Sequence, residues 1–245
     1  MKNLFPALFL MTGLAGAATT AQAQSAFSIG PRLGINMATV AASGDNAAEA
    51  NPQNIFLPQI GVTLDMSFGD KLSFQPSLLF SQKGFKTEES GTQSFNGTTV
   101  TYSATSKVRI NYLELPLNFV FTTGGTQGFQ LFAGPYLALG VGGKADYQVT
   151  AKDNQGMNIS ESESYPVNFA NQEPSNSNGN TFYVRQLDAG LNAGMGYRQG
   201  PVQVQLAYGL GLGNLVPNNS NGTDSGEKIQ NRVLQLSANY FFGIK

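Results

Sequence analysis

The chain of 245 residues carries 14 basic and 15 acidic residues, a net charge of −1, and no His, Cys or Trp. Without cysteine there are no disulfides, and without histidine the chain lacks the commonest general base and metal ligand. The near-neutral charge gives no electrostatic basis for a nucleic-acid partner, and no nucleic acid is expected.

The N-terminal segment has the pattern of an export signal. Lys2 is followed by an apolar run over 4–14, which is too short to span a membrane as a helix. Ala21, Gln22 and Ala23 then match the small-x-small pattern of a cleavage site. We therefore expect a signal peptide over residues 1–23 and one exported domain over residues 24–245.

The exported part alternates between apolar and polar residues with a period of two. In the last segment, for example, Leu234 and Leu236 alternate with Gln235 and Ser237. This period is typical of β-strands whose two faces meet different environments. Eight segments share the pattern, at about 29–37, 60–68, 72–81, 113–121, 129–141, 187–197, 202–210 and 234–242.

The connections between these segments alternate in length. Tight turns occur around Gly69 and Gly200, whereas four long polar loops are expected at 38–55, 84–107, 146–181 and 213–228. This asymmetry is typical of bacterial outer-membrane barrels, which have short periplasmic turns and long external loops. The pattern predicts an all-β fold, an eight-stranded antiparallel up-and-down transmembrane β-barrel in the cell outer membrane.

The polar face of the strands distinguishes a membrane barrel from a soluble one. A soluble barrel shows water a face rich in charged residues, but this face is mostly Gly, Ser, Gln and Asn. We predict that the apolar face contacts outer-membrane lipid and that the polar side chains largely fill a narrow lumen. Arg32 and Glu114 are expected to be the best pair within a luminal charge network formed by Arg32, Asp65, Lys83, Glu114 and Asp188.

Several motifs resemble the PorT-like outer-membrane β-barrel family, in order, over essentially the whole exported chain. They are IGPRLGIN at 29–36, QPSLLFSQKG at 75–84, YLELPL at 112–117, GPYL at 134–137, DAGL at 188–191, GMGY at 194–197, YGLGL at 208–212 and FFG at 241–243. The resemblance implies an eight-stranded barrel of a Gram-negative outer membrane and no particular activity. The chain departs from the pattern in ending with Ile244 and Lys245 rather than with an aromatic residue.

No enzymatic residue set is visible in the sequence. Catalysis without imidazole would need a carboxylate pair or a Lys-activated Ser on one rim, and we expect no catalytic, cofactor-binding or metal-binding residues. The predicted function is that of an integral outer-membrane barrel with a structural or surface-interaction role. Two alternatives stay open: a porin-like conduit for small solutes and a soluble periplasmic ligand-binding barrel.

The loop 146–181 is the longest of the four connections. Loops of this length are usually functional or disordered, and the strand pattern at both flanks predicts a hairpin that projects beyond the membrane. Its apolar residues Tyr165, Val167 and Phe169 are candidates for recognition of an extracellular or envelope protein. The alternatives are local packing of these side chains and plain solvation.

Overall fold

The computed structural model describes residues 27–44, 51–95, 97–125, 127–175 and 181–244. The expected signal peptide therefore lies outside the described residues. None of the described residues form a helix long and apolar enough to cross a membrane. The strands are β1 (Phe27–Ser43), β2 (Ile55–Phe68), β3 (Leu72–Phe95), β4 (Thr98–Gly124), β5 (Gln127–Asp153), β6 (Asn158–Phe169), β7 (Phe182–Val184), β8 (Leu187–Gln199), β9 (Val202–Gly211), β10 (Lys228–Tyr240) and β11 (Phe242–Ile244).

Eight of these strands form a closed antiparallel ring. Its order is β1, β2, β3, β4, β5, β8, β9 and β10, and β10 pairs with β1 to close it. The turns after β2 and β8 use Gly69 (φ 74°) and Gly200 (φ 58°), which adopt left-handed conformations that favour glycine. Each ring strand contains one of the eight alternating segments, so the predicted eight-stranded barrel is confirmed.

The two faces of the ring have inverted polarity relative to a soluble protein. Its outer surface is a belt of exposed apolar side chains such as Leu33 and Leu131, which are 58% and 52% exposed. Its interior holds buried amides such as Gln59, Gln75 and Gln203. A water-soluble barrel would bury the first set and expose the second. The arrangement matches a wall that contacts lipid outside and packs polar side chains inside.

Two of the four long connections, expected as polar loops, consist mostly of paired strands, and the hairpin predicted within 146–181 is present. Residues 84–107 belong to a hairpin in which β3 and β4 stay paired from Leu72 and Phe121 up to Phe95 and Thr98. Residues 146–169 belong mostly to a second hairpin, formed by β5 and β6. In the outer part of the first hairpin both faces carry polar residues, because both extend into water, and the hydropathy signal of a strand is therefore lost there.

The two hairpins join into one sheet beyond the barrel, which we call the projecting sheet. It comprises residues 84–95, 98–111, 142–153 and 158–169. β5 leaves β8 after Leu139 and pairs with β6 from Lys144 onward. β7 then runs parallel to the end of β6 and leads the chain back to the ring. One face of this sheet continues the lumen side of the barrel, and the other continues the lipid side.

Candidate functional site

A buried ion cluster lies in the upper half of the lumen. Lys83 of β3 places its Nζ 2.9 Å from Glu114 Oε2 and 3.3 Å from Asp188 Oδ2. All three side chains are at most 1% exposed. Because an unpaired charge in such a site costs several kcal/mol, the three residues stabilise the barrel only as a set.

Neutral side chains also contact the charged groups of this cluster. Tyr136 Oη donates a hydrogen bond of 3.1 Å to Asp188 Oδ2, and Asn231 Nδ2 donates one of 2.9 Å to the same oxygen. Lys83 Nζ also lies 4.1 Å from the centroid of the Tyr136 ring and 5.3 Å from that of Tyr112. Both rings offer their negative faces to the ammonium group.

Arg32 and Glu114 do not form the expected direct ion pair, although the charge of Glu114 acts on Arg32. Glu114 bonds to Lys83 on the neighbouring strand, and the Arg32 guanidinium donates a 3.3 Å hydrogen bond to Gln205 Oε1. Arg32 is nevertheless buried, as are Asp65, Lys83, Glu114 and Asp188. The alternation of residues along each strand correctly predicts that all five side chains face the lumen. Which of them come into contact depends on the stagger between neighbouring strands.

A second ion pair lies near the end of the lumen with the short turns. Asp65 bonds to Arg198 and also accepts a 3.0 Å hydrogen bond from Gln75 Nε2. The Arg198 guanidinium stacks 4.7 Å from the centroid of the Phe241 ring. Arg198 was not among the residues predicted to face the lumen, although it lies an even number of positions from Asp188 in the same strand and therefore points inward. Its closeness to the turn obscured that signal.

Buried amides bond to one another across the lumen beside the second ion pair, where Gln203 lies opposite Arg198. Gln203 Nε2 donates to Gln75 Oε1 at 3.2 Å and to Gln130 Oε1 at 2.7 Å. Asn239 Nδ2 donates a 2.9 Å hydrogen bond to Gln203 Oε1. These side chains come from β3, β5, β9 and β10, and they therefore connect walls on different sides of the barrel. The lumen is a hydrogen-bonded polar core.

An apolar cap closes the lumen above the ion cluster. Within this cap, Val167 is 4% exposed, and Phe169 packs against the other apolar side chains. The cap consists of Val108, Ile110, Tyr112, Tyr136, Ala138, Ala145, Val167 and Val184, with Phe85, Phe169 and Phe182 packed against it. For Val167 and Phe169 the structure therefore shows local packing, which was the alternative to recognition, because the parallel pairing of β6 with β7 turns them over the barrel mouth.

The third candidate, Tyr165, lies at the edge of the cap. Its ring packs edge-on against Tyr147, with centroids 5.6 Å apart, and its hydroxyl donates to the Glu163 carboxylate. That hydrogen bond to a negative group raises the pKa of Tyr165. Further along the same face of the projecting sheet, Val149 and Ile159 are 46% and 42% exposed. We call this row of side chains the inner strip; it consists of Tyr147, Val149, Ile159, Glu161 and Glu163.

Comparisons with known proteins identify the fold at the level of a family. A family model described as "Outer membrane protein beta-barrel domain" matches residues 21–216. No curated protein sequence matches the chain.

Several solved structures are similar to the chain over most of its length. They include Ail of Yersinia pestis in complex with the heparin analogue sucrose octasulfate, at 12% identity over 89% of this chain and 100% of that one (TM-score 0.35). Neisserial surface protein A is 9% identical over 88% and 97% (TM-score 0.34). The outer membrane protease OmpT of Escherichia coli is 10% identical over 92% and 99% (TM-score 0.30). Similarities this low carry no functional information.

Proposed function

The chain belongs to the outer membrane protein β-barrel domain family, and from that premise we propose that it is a surface-recognition protein rather than a conduit. It lies in the cell outer membrane, where short barrel turns face the periplasm and long hairpins face outward. The projecting sheet is then extracellular. The motif resemblance at 29–36 and 112–117 supports a finer assignment to the PorT-like members, which is part of this proposal.

The inner strip is the observation that carries the proposal. Tyr147, Val149 and Ile159 are 36%, 46% and 42% exposed on a sheet surrounded by water. A row of partly exposed apolar side chains flanked by carboxylates is characteristic of a protein contact site rather than of a solvated hairpin. Glu161 and Glu163 alternate along β6 beside this row and favour a partner segment that carries basic residues.

The edge of β6 supplies a second recognition element. Among the described residues, β6 pairs with β5 along 158–166 on one side, whereas on the other side only 167–169 pair with β7. The remaining backbone groups of this edge are available to an added strand. We propose that an extracellular or envelope protein binds there as an extended basic segment, with apolar side chains on the inner strip.

The packed lumen argues against the two alternative functions and against catalysis. A porin-like conduit needs an open path, but buried amides and ion pairs cross this lumen. A soluble periplasmic barrel would not expose the apolar belt. The buried carboxylates of Glu114 and Asp188 bond to Lys83 under the cap, so we propose a non-enzymatic role.

Site-specific photocrosslinking on intact cells tests the proposal. A benzoylphenylalanine at position 159 or 149 is expected to give one discrete crosslinked species, because both positions lie on the inner strip. The matched controls are positions 158 and 150, which alternate to the other face of the same strands. The species should disappear when Glu161 and Glu163 are changed to Lys. Equal crosslinking at the control positions, or no crosslink at 149 and 159, would refute the proposal.

A further inference from the structure

The outer face of the projecting sheet carries a group of basic residues just beyond the lipid belt. In the register of the sheet, Lys86 lies opposite Lys107, and Arg109 lies opposite Lys144. These four residues form what we call the basic patch, and they alternate along their strands with Val108 and Ala145, which are buried within the cap. The basic patch therefore points away from the lumen, toward the side on which the barrel contacts lipid.

The basic patch begins at the outer edge of the headgroup layer of the membrane. Below the basic patch, Leu113 and Leu139 form the uppermost pair of residues that belongs to the apolar belt. Arg109 lies four residues beyond Leu113 on β4, or about 13 Å along the strand and about 10 Å along the membrane normal after strand tilt. The polar layer adds only about 5–8 Å on each side of the hydrocarbon core, so Arg109 and Lys144 lie at its outer edge, and Lys107, two residues further along β4, lies about 5 Å beyond them.

Half of the basic patch has no ion-pair partner. Lys86 bonds to Glu88 at 2.7 Å, and Arg109 bonds to Asp146. Across the described ranges, Lys107 and Lys144 form no ion pair. Asp146 lies opposite Lys107 in the sheet and also attracts Lys144, so one carboxylate faces three cations at this end of the basic patch. Two positive charges held together beside the headgroup layer attract an anion.

The surface around Arg109 is concave. Three adjoining depressions of about 310, 490 and 260 Å³ share this residue in their walls. Lys144 lines the second, whereas Lys86 and Phe56 line the third. Phe56 is 73% exposed, which is the largest exposure among the large apolar side chains. The aromatic ring can contact an acyl chain, and the basic groups beside it can contact a phosphate.

From this geometry we infer that the basic patch binds the phosphate groups of an outer-leaflet phosphorylated glycolipid, with Lys107 and Lys144 as the main anion ligands. Arg109 lies between the two lysines, and Phe56 contacts the lipid below the headgroup. The basic patch lies on the face of the sheet opposite to the inner strip, so lipid binding there does not depend on the proposed protein partner.

Binding of lipid A to the folded full-length barrel in neutral detergent micelles, at about 50 mM salt, tests the inference. Each lysine near an anionic lipid strengthens binding by about five-fold. The double variant Lys107→Ala/Lys144→Ala is therefore expected to bind lipid A about 25-fold more weakly. Asp146→Asn removes the carboxylate that bonds to Arg109 and is expected to strengthen binding, by up to about five-fold.

Lys152→Ala is the matched control. Lys152 lies on the same face of β5 as Lys144, eight residues or about 26 Å further from the membrane, and its removal should leave binding unchanged. Dephosphorylated lipid A should bind the wild type as weakly as lipid A binds the double variant. Unboiled gel mobility verifies that each variant is folded. Equal affinities of wild type and double variant, or an equal loss with Lys152→Ala, would overturn the inference.

Discussion

Lys83 and Asp188 lie three strands apart around a ring of eight, yet Lys83 Nζ approaches Asp188 Oδ2 to 3.3 Å. The contact crosses the lumen and connects β3 with β8, which share no backbone hydrogen bonds. Glu114 on β4 holds the same ammonium group from the neighbouring strand. One lysine thereby links three strands of the barrel, and its removal would leave two carboxylates buried together.

We predict that Lys83→Met destabilises the barrel by about 3–5 kcal/mol, because Glu114 and Asp188 then lack a countercharge. Denaturant unfolding in lipid vesicles measures the loss. Adding Glu114→Gln and Asp188→Asn should recover part of it, since neutral amides need no countercharge. The combined effect should then be smaller than the sum of the separate losses. Strictly additive losses would show that these residues are not coupled.

The amide layer is predicted to keep the barrel from conducting ions. The wild type should show no porin-sized steps in planar bilayers, because Gln75, Gln130 and Gln203 fill the lumen. Changing all three to Ala should produce small conductance steps only in combination with the loss of residues 152–178, because Val167 and Phe169 of the cap otherwise still cover the lumen. Gln93→Ala, in the extracellular part of β3, is the control and should stay silent. Stable large steps from the wild type would instead favour the porin-like alternative.

The cap is predicted to order the end of the second hairpin. Phe169→Ala should cost about 2 kcal/mol locally, at the low end for a large-to-small change because the ring is only half-buried. Proteolysis and hydrogen exchange within 165–184 should then accelerate while the ring strands stay protected. Ile159→Ala, at an exposed position of β6, is the control and should leave both rates unchanged. Equal effects of the two changes would show that Phe169 makes no special packing contribution.

Replacing residues 152–178 by a short Gly-Ser link should leave the barrel folded and inserted. The deletion removes β6, but the ring closes through β5, β8 and the other six strands without it. Unboiled gel mobility and resistance of the ring to protease measure this outcome. The variant should also lose every surface-binding phenotype that depends on the inner strip. A deletion that abolishes membrane insertion would make the hairpin part of the folding core.

Residue alternation was sufficient to predict the barrel because lipid and lumen impose opposite polarities on successive positions of a strand. Leu33, Leu131 and Leu236 could be assigned to the belt, and Arg32 and Asp188 to the interior, from parity alone. The same rule failed for the upper parts of β3 and β4. Both faces meet water there, so the alternation that reveals a strand is absent.

Which side chains contact each other inside the barrel, by contrast, was decided only by the tertiary structure. Which inward charges meet depends on the stagger of strands around the ring, and this stagger brought Glu114 to Lys83 rather than to Arg32. The position of Val167 likewise depends on the parallel return of β7, which turns an apolar stretch of the hairpin into the cap over the lumen. Contacts between distant segments follow from register and closure, and a one-dimensional pattern of residues contains neither.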